Sequence, residues 1–181
     1  GLRNNPAARR GLRQVRDQID PQRRKREADQ RLRVSDTVDN RRHLGDEHLA
    51  RGEYAEAAAQ FESAMRGIHR EDPELMLGLA KAQYGLGQAA KAKQTLDALI
   101  AANPSFRSHE GHLLYARTVE DSGDIDAALH EYDALVAGYP GEEARLRYAL
   151  LLKRKGRDGD AVVQLRSILD RAETSPRYYQ Q

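Results

Sequence analysis

The chain has no cysteine and no tryptophan, and only two phenylalanines and two methionines among 181 residues. Without cysteine there are no disulfides, no thiolate metal sites and no cysteine nucleophile. No apolar run approaches the roughly 18 residues that a membrane-crossing helix needs. Net charge is also small: 30 basic against 28 acidic residues, a formal +2. That balance conceals a division. Residues 1–33 carry eleven Lys/Arg against four Asp/Glu, whereas the remainder is acidic. Hydrophobic residues make up 39 %, enough for a modest core.

What is present is an internal repeat. Four small residues, Gly45, Ala80, Ala116 and Ala149, are each followed seven positions later by a glycine (Gly52, Gly87, Gly123, Gly156). Five further on stands an alanine (Ala57, Ala92, Ala128, Ala161), and four beyond it a large apolar residue (Phe61, Leu96, Tyr132, Leu165). Ala64, Leu99, Leu135 and Ile168 follow after three more. The glycines are 35, 36 and 33 residues apart, so length varies only between copies. Each copy reads as two helices and a tight turn. Glycine supplies the positive φ that closes the first helix, and the alanine lets the helices pack at about 8–10 Å. Leu44, Leu79, Tyr115 and Tyr148 are expected on the first helix's core face. Pro104 and Pro140 are expected to stop second helices, with Pro73 and Pro176 doing so in the first and fourth copies.

Leu44-Gly45, Gly52-x-Tyr54, Ala57, Phe61 and Ala64, recurring three more times in frame, resemble the tetratricopeptide repeat family. The family's tryptophan is replaced by Arg41, Met76, His112 and Arg145. The resemblance implies an all-α, right-handed superhelical solenoid of about four helix-turn-helix repeats: 38–72, 73–108, 109–141 and 142–175. Residues 1–37 form a basic arm ahead of the array at 38–181.

Function follows less directly. His109-x-x-His112 has a spacing that could share a metal, but it begins a repeat helix where polar residues are simply exposed. Asp121 to Asp126 lacks the twelve-residue frame and closing Glu of a calcium loop, and Asp124 is expected to cap a helix. Gly85-Leu86-Gly87 is no phosphate loop. No catalytic constellation stands out, and no enzyme activity, cofactor or metal is expected. The resemblance instead implies that first helices line a concave groove that holds a peptide or protein. The lining expected is Arg42, Asp46, Leu49, Leu77, Lys81, Tyr84, Leu113, Arg117, Glu120, Leu146, Leu150 and Lys153. Leucines and Tyr84 would anchor apolar groups, and the cations would favour an acidic partner.

Three readings compete for the arm. Ala8, Leu12, Val15 and Ile19 share a helical face beside Arg9, Arg10, Arg13 and Arg16, and Arg23, Arg24, Lys25 and Arg26 follow Pro21. The arm is a solvated or capping extension, or a contact for an anionic membrane surface, or a nucleic-acid contact. The last is disfavoured, because residues 1–37 hold no aromatic stacking platform. The run Asn5 to Leu12 is similar to bacterial repeat proteins with a hydrophobic segment upstream. With such a segment, the arm's cations would hold the repeats on the cytoplasmic face of a bacterial inner membrane.

Overall fold

The computed structural model describes residues 22–23, 26–27 and 37–174. Within residues 37–174 eight α-helices follow one another: α1 (Val38–Ala50), α2 (Tyr54–Ala64), α3 (Pro73–Gly85), α4 (Ala89–Ala102), α5 (His109–Asp121), α6 (Ile125–Val136), α7 (Glu143–Arg154) and α8 (Asp158–Thr174). A 3-10 turn, Gly67–His69, joins α2 to α3, and the described residues contain no strand.

Local chemistry sets most of these boundaries. The Thr37 hydroxyl accepts from Asn40 N–H at the head of α1. Asp72 accepts from Glu74 and Leu75 N–H ahead of α3, whose first residue is Pro73. Ser108 and Asp124 cap α5 and α6 in the same way. Gly52, Gly87, Gly123 and Gly156 all sit at φ between 72° and 88°, as a turn that ends a helix requires. Pro73 therefore begins α3 and does not stop α2. The second helix of the first pair already ends at Ala64, and the chain reverses through Gly67 at φ 56°.

The helices pack in antiparallel pairs, and each second helix packs on the first helix of the next pair. First helices of successive pairs also touch, α1 with α3 and α3 with α5, while second helices of successive pairs scarcely meet. First helices thus form the tighter, inner side of a curved stack. The repeat markers are its core: Gly45, Ala57, Ala80, Ala92, Ala116, Ala128, Ala149 and Ala161 are all buried. The Phe61 ring lies between Gly45 of α1 and Gly78 of α3. A Cβ built on either glycine would come within 2.6 Å or 2.5 Å of that ring.

Both ends of the stack depart from the repeat pattern. Leu44, in the first pair, is 44 % exposed, whereas its counterparts Leu79 and Tyr148 are buried. Leu165, the counterpart of buried Phe61, Leu96 and Tyr132, is 39 % exposed, and Ile168 is only partly buried. In the first three copies the following pair's first helix covers these positions, and α8 has no such neighbour among the described residues. Arg145, where the family's tryptophan would stand, is tied instead by hydrogen bonds to Gln164 Oε1 (2.6 Å) and the Val136 carbonyl. His112, at the same repeat position, reaches Glu131 at 2.9 Å. Both bonds span 19 residues and join the two helices of one pair.

Candidate functional site

The inner face is built from α1, α3, α5 and α7. Position in the repeat decides what each expected residue does. Leu77 and Leu113 stand three residues before their markers, where the next pair's first helix covers them. They are 4 % and 5 % exposed and belong mainly to the core, with Leu113 at the edge of an inner cavity and Leu77 at the edge of an outer cleft. Leu146, at the same position in the last pair, is 45 % exposed, with no further helix pair following among the described residues. Leu49 is partly buried against the first core cluster, and Leu150 is exposed. Arg42 is bridged to Asp39 at 3.3 Å on its own helix, and Asp46 is exposed.

Lys81, Tyr84, Arg117, Glu120 and Lys153 reach the inner surface, yet most are already engaged. Lys81 Nζ meets Glu110 Oε2 at 2.5 Å, joining α3 to α5. The Tyr84 hydroxyl donates to Asp121 Oδ2 at 2.7 Å, again from α3 to α5. The Arg117 guanidinium lies 4.6 Å over the Tyr84 ring, a cation–π arrangement. Glu120 accepts from the Tyr132 hydroxyl at 3.2 Å and meets Arg154 of α7 at 3.7 Å. Lys155 beyond α7 pairs with Asp126 at 3.2 Å, and the Tyr148 hydroxyl donates to Asp133 at 3.2 Å. Arg117 and Lys153 make no ion pair with any described residue.

Charge along the chain explains this knitting. Residues 109–141 hold seven acidic residues and one basic, Arg117. The pair before them and the pair after are each more basic than acidic. The third pair is therefore an acidic element clamped by cations and phenols on both sides. Its ion pairs are largely solvent-exposed and contribute about 0–1 kcal/mol each, so they set alignment while buried apolar area supplies stability. These contacts link residues 12 to 37 positions apart, and no short motif announces them.

The tyrosines carry the electrostatic signature of this arrangement. Burial, and then the charge of Glu120, push the Tyr132 phenol well above the ordinary tyrosine range. Burial and the Asp121 hydrogen bond raise Tyr84, against an opposing pull from Arg117. Burial and Asp133 raise Tyr148.

An inner cavity of about 220 Å³ is lined by Lys81, Glu110, Leu113, Leu114, Arg117, Tyr139 and Glu143. A larger one, about 630 Å³, opens between the second helices α4 and α6, away from the inner face. The repeat pattern gives no sign of it. No cluster of three or more metal-ligating side chains occurs among the described residues. His112 is held by Glu131, and His109 stands edge-on to Tyr139. Asp124 caps α6, as expected. Of the arm residues, Arg23 pairs with Glu27 at 3.1 Å. Arg26 stands in a helical stretch and is exposed. Arg9, Arg10, Arg13, Arg16, Arg24 and Lys25 lie outside the described residues.

Comparison with known proteins bears on the family. Two tetratricopeptide repeat models match residues 48–118 and 113–176, and together they span most of the 181 residues. No curated protein matches at a significant level. Solved structures do. A crystal structure of MamA is similar at TM-score 0.65 and 19 % identity, covering 80 % of this chain and 84 % of that one. MamA designated AMB-1 gives 0.60 and 20 %, with 72 % and 75 % covered. YrrB, described as a TPR protein with an unusual peptide-binding site, gives 0.60 and 21 %, with 74 % and 68 % covered. At these identities the likeness is one of fold.

Proposed function

The chain belongs to the tetratricopeptide repeat family, and we propose that it holds a protein or peptide partner on the inner face of its first helices. The family and fold make it a protein–protein interaction module and not an enzyme. The finer reading concerns where the partner sits. The observation that carries it is the Arg117–Tyr84 pair. A guanidinium stacked on a partly exposed ring, with no carboxylate partner among the described residues, is a preorganised receptor for an acidic side chain. Lys153 adds a second cation on α7, with no ion pair among the described residues. Lys81 contributes less, because Glu110 already neutralises it. The unusual peptide-binding site described for YrrB supports a peptide as ligand class.

The basic residues of the arm support a second contact, with an anionic membrane surface. This would place the module on the cytoplasmic face of a bacterial inner membrane. Each Lys or Arg near such a surface contributes about 1 kcal/mol.

The test is co-purification of partners from the native host with the intact chain, with residues 34–181, and with an Arg117→Glu/Lys153→Glu variant. A partner lost only with the double reversal supports the inner face. A partner lost only without residues 1–33 assigns binding to the arm and overturns the inner-face reading.

A further inference from the structure

The cleft between α4 and α6 has features the inner face lacks. Its volume, about 630 Å³, is in the range of ligand-binding pockets, about 300–1,000 Å³. It exists because second helices of successive pairs scarcely meet, and the connection at 103–108 runs along its edge between α4 and α5. Phe106 of that connection packs on the core cluster beneath, and Asn103 anchors it by donating to the Glu71 carbonyl at 2.9 Å. The floor is apolar: Leu96, Leu99 and Leu135 are buried there, and Phe106 is partly so. Ile100 stands at its edge 54 % exposed, and Ala134 opposite is exposed too.

The lining carries one carboxylate and one guanidinium. Its carboxylate, Glu131, is hydrogen-bonded to His112 at 2.9 Å. Its one guanidinium, Arg107, has no carboxylate partner among the described residues. It folds back to donate to the Pro104 and Phe106 carbonyls at 2.9 and 3.0 Å. An occupant that fits both properties brings apolar side chains and a negative charge. The chain's own arm, with its excess of cations, does not fit.

We propose that this cleft is a second docking site, for a short apolar peptide segment of another protein that carries an Asp or Glu to pair with Arg107. The apolar side chains occupy the floor between Ile100 and Ala134, and the carboxylate replaces the internal carbonyls as the acceptor for Arg107. The site is separate from the inner face and does not depend on Arg117, Tyr84 or Lys153.

The test is selection of phage-displayed random short peptides against the full chain, followed by Kd measurement of the enriched sequences. The variants are Ala134→Trp, which fills the cleft, Arg107→Glu, and Arg117→Glu as an inner-face control. Ile100→Ser repeats the reading if Ala134→Trp does not fold by circular dichroism. The expected result is enrichment of peptides with apolar residues and an Asp or Glu. Cleft variants should weaken their binding by about tenfold or more, and Arg117→Glu should leave it unchanged. The proposal is overturned by any of three results: no enrichment above a blank surface, enriched peptides without an acidic residue, or binding that survives the cleft variants. Loss with Arg117→Glu would also overturn it, by placing those peptides on the inner face.

Discussion

The Tyr84 hydroxyl donates to Asp121 at 2.7 Å across the joint between the second and third helix pairs. The donor lies 37 residues from its acceptor, about one repeat, so the bond fixes how two repeats meet and not how either folds. Tyr84→Phe removes the bond and leaves the ring under Arg117. A loss of about 0.5–1.5 kcal/mol is expected by urea unfolding, with helical content unchanged. A wild-type midpoint would show that the bond is not formed in solution.

The buried and half-buried phenols predict alkaline sensitivity. Tyr132, Tyr84 and Tyr148 hold their protons more tightly folded than unfolded. The unfolded chain then releases protons first as pH rises above about 10. Stability is therefore full below that pH and is lost as pH climbs toward the folded-state values. Tyrosine absorbance should titrate in two groups, and the later group should ionise with loss of helix. Titration of all eight tyrosines together, with the fold intact, would contradict this.

Repeat position predicts which leucines matter. Leu96 is buried under α5, whereas its counterpart Leu165 is 39 % exposed at the open end. Leu96→Ala should cost about 2–5 kcal/mol, and Leu165→Ala distinctly less. Equal losses would mean that something covers α8 in solution.

Gly45 and Gly78 contact the same ring. Gly78→Ala places a methyl 2.5 Å from Phe61 and should cost about 1–3 kcal/mol. Phe61→Leu in the same chain should recover part of that loss. Full additivity of the two changes would argue against the close approach.

Much of this architecture was legible in the sequence. The small-residue, glycine and alanine offsets locate the turn within each pair and the close contact of its two helices, because those positions permit few side chains. The face of a first-helix residue was less legible. Leu77 and Leu113 read as groove residues because periodicity places them near Lys81 and Arg117, but periodicity does not say where the next repeat lies. Lys81 and Arg117 were legible as inner-face cations. Their engagement by Glu110 and Tyr84 was not, because those partners stand about one repeat away. The outer cleft has no sequence signal, since it arises from two helices failing to meet.

The most direct test of the inner-face site is the binding of a partner, identified with the intact chain, to Arg117→Glu/Lys153→Glu protein of unchanged melting temperature. A partner seated on that face should lose about tenfold or more in affinity, with binding retained by residues 34–181. Undiminished binding by the charge-reversed chain would contradict an inner-face site.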